Sequence, residues 1–268
     1  MKLNQEMIDA AAERLFQAEQ ARQQIGLLSL AHPEMGLEEA YAVQAALVKR
    51  KIAAGRTIKG WKIGLTSRAM QSVLNIETPD SGILFDDMFF HTGGVVPKGR
   101  FIQPRIEAEI AFHLAAPLKG PGITRADVLA ATDQVAPALE ILDTRILRKD
   151  PESGVLRTVV DTISDNAANA GIVLGAERFA PTEMDLRWIG AIVKRDGVVE
   201  ETGLGAGVLD DPVEGIVWLA NRLATYGDSL SAGDWVLSGS FIRPLETEPG
   251  AHITADFGPF GSVAITFA

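Results

Sequence analysis

Arg105-Ile106-Glu107-Ala108-Glu109-Ile110-Ala111-Phe112-His113-Leu114 is the stretch whose reading decides the fold. In a strand, alternate side chains point to opposite faces. Ile106, Ala108, Ile110, Phe112 and Leu114 then share one face, and Glu107, Glu109, Ala111 and His113 share the other. An apolar face this long predicts a strand lying on a core. On the opposite face two carboxylates point the same way, about 7 Å apart along the strand, with no Lys or Arg between them. That face is either solvated, with two ordinary glutamates, or half of a cation site.

The next apolar segment downstream bears on that choice. Glu140 stands in Val135-Ala136-Pro137-Ala138-Leu139-Glu140-Ile141-Leu142. A buried carboxylate without a partner is costly or stays protonated. An arginine such as Arg145 or Arg105 would relieve that cost. So would a metal shared with Glu107 and Glu109. Three carboxylates with no thiolate suit octahedral Mg²⁺ or Mn²⁺, with positions left open for chemistry. His113 shares the glutamate face, but a lone histidine there is more often hydrogen-bonded than ligating.

Further out, Gly60-Trp61-Lys62-Ile63-Gly64-Leu65-Thr66 puts a lysine in an apolar strand. Lys62 would bind a carboxylate or move a proton, or else snorkel at a sheet edge. Thr78-Pro79-Asp80-Ser81-Gly82 reads as a tight loop presenting Asp80, or as plain turn chemistry. Asp161-Thr162-Ile163-Ser164-Asp165-Asn166-Ala167-Ala168-Asn169 reads as a loop lining a pocket, or as a capping loop. Gly203-Leu204-Gly205-Ala206-Gly207 lacks the strand-to-helix setting of a dinucleotide site and reads as a flexible connection. No GxSxG elbow is present.

Beyond Gly60, short Val-, Ile- and Phe-rich runs alternate with Gly, Pro and Asp. Asp196-Gly197 marks a hairpin turn, and residues 251–268 read as another hairpin. Thr124 caps a short helix with Asp127 at its third position, and Asp211-Pro212 opens a helix that Gly227 closes. Before Gly60 the pattern is helical: residues 5–24, then 37–54, joined by the connector 28–36. The chain is therefore read as α+β, with an N-terminal helical region over 1–58 and a β-rich catalytic domain over 59–268.

Of the 268 residues 47% are hydrophobic, enough for a sizeable core. The net charge of −10 repels phosphate backbones and argues against nucleic acid as a partner. No apolar run approaches the roughly 18 residues of a membrane span, and the first residues lack a signal-peptide core, so a cytoplasmic protein is expected. With no cysteine, thiolate metal sites, disulfides and cysteine nucleophiles are excluded.

Lys62–Ser67, the Pro79–Gly82 loop, the Arg105–Glu109 strand, Ala138–Ile141 and Asp165–Ala167 occur in this order. Together they resemble the hydratase and decarboxylase branch of the fumarylacetoacetase superfamily, over nearly the whole chain. The resemblance implies a β-rich roll of the fumarylacetoacetase C-terminal type with an N-terminal helical appendage. It implies Mg²⁺ or Mn²⁺ held by Glu107, Glu109 and Glu140, with Lys62 and Asp80 as catalytic residues. Arg145, Arg157 and Ser164 are implied as substrate-binding, with Arg148 a further candidate for the distal carboxylate. The segment Asp143–Arg157 favours a seven-carbon diacid, 2-hydroxyhepta-2,4-diene-1,7-dioate, hydrated to 4-hydroxy-2-oxoheptanedioate in homoprotocatechuate catabolism. Hydration of 2-hydroxypenta-2,4-dienoate and decarboxylation of 4-oxalocrotonate use the same chemistry and are the alternatives. A homo-oligomer, able to complex with a pathway enzyme, is also implied.

Overall fold

The computed structural model describes residues 3–68, 71 and 78–268. The chain begins with helices α1 (Gln5–Ala21), α2 (Leu28–Ala31) and α3 (Leu37–Ala53). Then follow β1 (Ile58–Gly64), β2 (Asp80–Phe85), β3 (Phe89–His91), β4 (Gly94–Val96) and β5 (Arg105–Leu114). Helix α4 (Arg125–Ala131), β6 (Thr132–Leu142), α5 (Val159–Ser164) and β7 (Asn169–Leu174) come next. The chain continues through β8 (Gly190–Arg195), β9 (Val198–Leu204) and α6 (Pro212–Ala224). It ends with β10 (Trp235–Leu237), β11 (Leu245–Glu246), β12 (His252–Asp256) and β13 (Ser262–Phe267).

The strands form two sheets. The larger has the order β2-β1-β10-β5-β6-β7-β3, with β11 also paired to β5; the smaller is β4-β13-β12-β8-β9. Strands β1 and β10 run parallel, while β10–β5, β5–β6 and β6–β7 are antiparallel. The end strand β2 is tied back toward β7 by amide side chains. Asn166 Oδ1 accepts from Ile83 N (2.8 Å), while Asn166 Nδ2 and Asn169 Nδ2 donate to Ile83 O (2.9 and 3.2 Å). Two amides thus satisfy backbone groups that an end strand otherwise leaves open.

Local chemistry accounts for the predicted boundaries. Thr124 and Asp127 cap α4 reciprocally, and Asp211 accepts from Val213 N at the start of α6. Asp196 and Gly197 both have positive φ, as the two-residue hairpin between β8 and β9 requires. Helix α1 stops at Ala21, short of the expected residue 24. Arg22 adopts φ 55° and its N–H returns to Ala18 O and Glu19 O, a left-handed cap without glycine.

Three other expectations are corrected. The connector 28–36 contains α2, fixed by Asp161, which accepts from Ser29 N and Oγ. Residues 161–169 are largely helix α5 and a tight left-handed turn. The 203–207 stretch is packed: a Cβ on Gly203 would run into Phe241 O, and one on Gly205 into Leu186 O.

The β5 strand is buried on both faces, with only Arg105, Glu107 and His113 partly accessible. Its Ile106, Ile110 and Phe112 join the main apolar cluster with Leu139, Ile141, Ile216 and Phe260. A second cluster, built by Leu15, Val43 and Leu47 of α1 and α3, is sealed by Ile146 and Ile163. Among the described residues no helix is long and apolar enough to cross a membrane.

Candidate active site

Antiparallel register builds the centre of the site. Glu107 of β5 lies directly opposite Glu140 of β6, and Glu109 follows one pleat further on the same face. One carboxylate oxygen from each of the three lies within 4.8 Å of the others. Glu109 and Glu140 are fully buried, and Glu107 faces the cavity. Gly239 N donates to Glu109 Oε2 (2.8 Å), but Glu109 Oε1 and both oxygens of Glu140 are buried without a hydrogen bond.

Lys62 comes from β1, which is flanked by β2 and β10 and so is not an edge strand. Its Nζ is 3.4 Å from Glu140 Oε1, close enough for ion pairing and too long for a well-formed hydrogen bond. Neither Arg145 nor Arg105 is paired with Glu140. Asp80 opens β2 opposite Gly64, in a strand where a loop was expected, and its Oδ1 is buried and unpartnered. A Cβ on Gly64 would collide with Asp80 Oδ1 and stand 3.0 Å from Lys62 Nζ. The hydrogen-only side of Gly64 therefore lets the ammonium and the carboxyl group converge.

The electrostatics set the charge balance of the centre. Burial raises the Glu107 pKa to about 7, with Glu140 adding to the effect. Burial, then Glu140 and Glu107, push Glu109 well above the ordinary range, and burial likewise raises Glu140 and Asp80. Burial alone would lower Lys62, yet Glu140, Asp80, Glu107 and Glu109 outweigh it and hold the ammonium charged. Lys62 is the one ammonium among these four carboxyl groups, and Arg105 and Arg157 on the cavity wall stand beyond ion-pair distance of them, so the centre is short of positive charge. Converging, unsatisfied oxygens of an all-oxygen donor set fit a hard divalent cation.

Lys62, Asp80 and Glu107 open into a cavity of about 590 Å³ whose wall includes Arg105, Arg157, Thr162, Ala168 and Ser240. Arg157 Nη1 donates to Thr144 Oγ1 (2.6 Å). Two of the expected substrate contacts are not brought here. Arg145 is buried and uses its donors on Asp165 Oδ1 (2.5 Å), Asp165 O and Asn169 O. Ser164 Oγ donates to Val160 O (2.7 Å). Two residues along a helix is about 200° of rotation, so Thr162 reaches the cavity and Ser164 turns inward. His113 is held away by Asp133 (2.7 Å) and the Trp235 ring. Sequence reading missed Arg105 as a cavity residue, although its place two residues before Glu107 puts it on the same strand face.

Fold and site define a class: a mixed α/β protein of two sheets with a buried, all-carboxylate centre beside a lysine. No family model matches the chain. Over 96% of each chain it is 55% identical to the 2-oxo-hept-4-ene-1,7-dioate hydratase of Escherichia coli. It is 38% identical to the 2-keto-4-pentenoate hydratase of Paraburkholderia xenovorans, over 97% of this chain and 94% of the relative. A solved structure, the 4-oxalocrotonate decarboxylase from Pseudomonas putida G7 complexed with magnesium and adipate, matches with a TM-score of 0.93. That match has 36% identity and covers 99% of each chain. The chain belongs to the family of the 2-oxo-hept-4-ene-1,7-dioate and 2-keto-4-pentenoate hydratases and the 4-oxalocrotonate decarboxylases.

Proposed function

We propose that the protein adds water to 2-hydroxyhepta-2,4-diene-1,7-dioate, giving 4-hydroxy-2-oxoheptanedioate. The observation that carries the chemistry is the triad of converging carboxylates beside Lys62 and Asp80, in which Glu109 Oε1 and both oxygens of Glu140 are buried without a hydrogen bond. The 55% identity to a hydratase of the corresponding 2-oxo tautomer supports this chain length. Glu107, Glu109 and Glu140 would hold Mg²⁺ or Mn²⁺, which when bound supplies Lewis acidity toward the 1-carboxylate and 2-oxygen of the substrate.

The protein's own groups handle the protons. Asp80, whose pKa burial raises, carries a proton into the cavity and delivers it toward C5, while the enol proton leaves the 2-oxygen. The product of that shift is a 2-oxo-3-ene. Water then adds with its oxygen at C4; Asp80, now ionised, accepts the proton that water sheds, and the proton released from the 2-oxygen returns by way of cavity water to C3. Lys62 stays charged and steadies the negative charge that develops at the 2-oxygen. Arg157, on the cavity wall, offers a planar guanidinium to the far carboxylate. In this reading residues 59–268 form a β-roll that carries the site, and residues 1–58 are a helical appendage. The protein would act in the cytoplasm as a homo-oligomer.

The specific rival is decarboxylation, because the 4-oxalocrotonate decarboxylase matches over nearly all of both chains. Incubation with 4-oxalocrotonate and with the seven-carbon dienoate, with assay of CO₂ and of the hydroxylated product, separates the two. Hydration without CO₂ is expected, and CO₂ release without water addition would overturn the hydratase reading.

A further inference from the structure

Arginines gather beside the cavity, and most of them are already neutralised. Arg148 pairs with Glu246, and Arg243 on the rim with Glu201 (2.7 Å). Arg145 pairs with Asp165. Arg105 and Arg157 differ: both line the cavity, both are partly buried, and among the described residues no carboxylate lies within ion-pair distance of either. Burial and neighbouring guanidinium groups work against both charges, so their arrangement is unfavourable unless an anion joins them.

Their placement relative to the carboxylate triad gives a length. Arg105 and Glu107 are two residues apart on one face of β5, about 6.8 Å along the strand. Six carbon–carbon bonds of about 1.5 Å each, zigzagged, cover a little more than that. A chain anchored by its C1 and C2 oxygens at the triad therefore brings a C7 carboxylate to the level of Arg105. A five-carbon chain ends short of it. Arg157 approaches the same cavity from the segment after β6, with one edge of its guanidinium held by Thr144 Oγ1. Its other donors remain for a ligand.

We propose that Arg105 and Arg157 together seat the distal carboxylate, and that Arg105 sets the preference for a dicarboxylic dienoate over its monocarboxylic counterpart. This rests on the hydration reading above and adds to it a residue that measures chain length.

The test compares Arg105→Met, Arg105→Lys and Arg157→Met with the unaltered protein. The substrates are 2-hydroxyhepta-2,4-diene-1,7-dioate and 2-hydroxypenta-2,4-dienoate, both with Mg²⁺. The ratio of kcat/KM for diacid over monoacid should fall about 10- to 100-fold in either Met variant, mainly through the diacid KM. Arg105→Lys should fall between, because it keeps the charge and loses the planar fork. A parallel binding measurement uses saturated 2-oxoheptanedioate and 2-oxoheptanoate, and the tighter binding of the diacid should vanish in the Met variants. An unchanged ratio, or equal loss on both substrates, would overturn the seat. If the unaltered protein hydrates neither dienoate but still prefers the saturated diacid, the seat stands and the hydration reading falls.

Discussion

Glu140 is the residue on which the site turns, because neither of its buried oxygens has a hydrogen bond and its nearest cation is Lys62 at 3.4 Å. Replacing it with glutamine keeps the shape and removes the charge. The Glu140→Gln protein without metal is expected to be as stable as the unaltered protein or more so, since one of four mutually repelling carboxyl groups is gone while Asp80, Glu107 and Glu109 still face Lys62. The stabilisation by Mg²⁺, about 2.7 kcal/mol at a hundred times Kd, should disappear. Thermal denaturation with and without Mg²⁺ reads both effects. Gly64 makes a second case. Gly64→Ala pushes a methyl group between Asp80 and Lys62, and misplacement on that scale lowers kcat by about 100-fold. Mg²⁺ binding should persist, because the atoms nearest to a Cβ at Gly64 belong to Asp80 and Lys62. Loss of Mg²⁺ binding in Gly64→Ala would contradict the division between metal centre and proton pair. The glutamates and Lys62 were legible because each is a charged residue in an apolar setting. Gly64 was visible only as a flank, since its role depends on what β2 places opposite it.

At the scale of elements, the turn Asn166-Ala167-Ala168 has φ values of 52°, 52° and 57° without a single glycine. Such conformations cost on the order of 1 kcal/mol each and persist only where the surroundings impose them. Here the surroundings are the buried Arg145–Asp165 pair, with Asp165 Oδ2 also accepting from Arg145 N (2.7 Å), and the Asn166 bonds to Ile83. Arg145 is therefore a support for the cavity wall in place of the expected substrate contact. Arg145→Met should lose about 3–5 kcal/mol of stability in denaturant titration, as removal of one partner of a buried pair does. A loss below about 1 kcal/mol would show that the pair does not hold the turn. The hairpins and capped helices could be read from sequence because their signals are local: Asp196-Gly197, Thr124 with Asp127, Asp211 with Pro212. The 161–169 segment could not, because what shapes it comes from Arg145 and Ile83, far away in the chain.

The molecule as a whole gathers four carboxyl groups, Asp80, Glu107, Glu109 and Glu140, around one buried ammonium, Lys62, and this couples folding to pH and metal. The folded pKa of Glu107 is about 7, above its ordinary value of 4.5. The folded protein thus keeps a proton that the unfolded chain releases. That contribution to stability is fully present below pH 4.5 and is lost as pH rises through 7. Because Glu107 faces the cavity, the effect is on the order of 1–3 kcal/mol. Denaturation of metal-free protein from pH 4.5 to 8 should show a downward slope that Glu107→Gln reduces and Mg²⁺ offsets. Parallel curves for the two proteins would contradict it. The division into a β-rich part and preceding helices followed from the change of period after Gly60. The fit between them did not, since Ile146 and Ile163 seal the helical cluster from elsewhere in the chain.

The most direct test of the central claim follows the absorbance of 2-hydroxyhepta-2,4-diene-1,7-dioate with the metal-free protein, with Mg²⁺ added, and with chelator added after Mg²⁺. The carboxylate centre predicts loss of the dienoate with formation of 4-hydroxy-2-oxoheptanedioate only when Mg²⁺ is present, and neither in Glu140→Gln. Equal turnover with and without chelator, or full activity in Glu140→Gln, would contradict it.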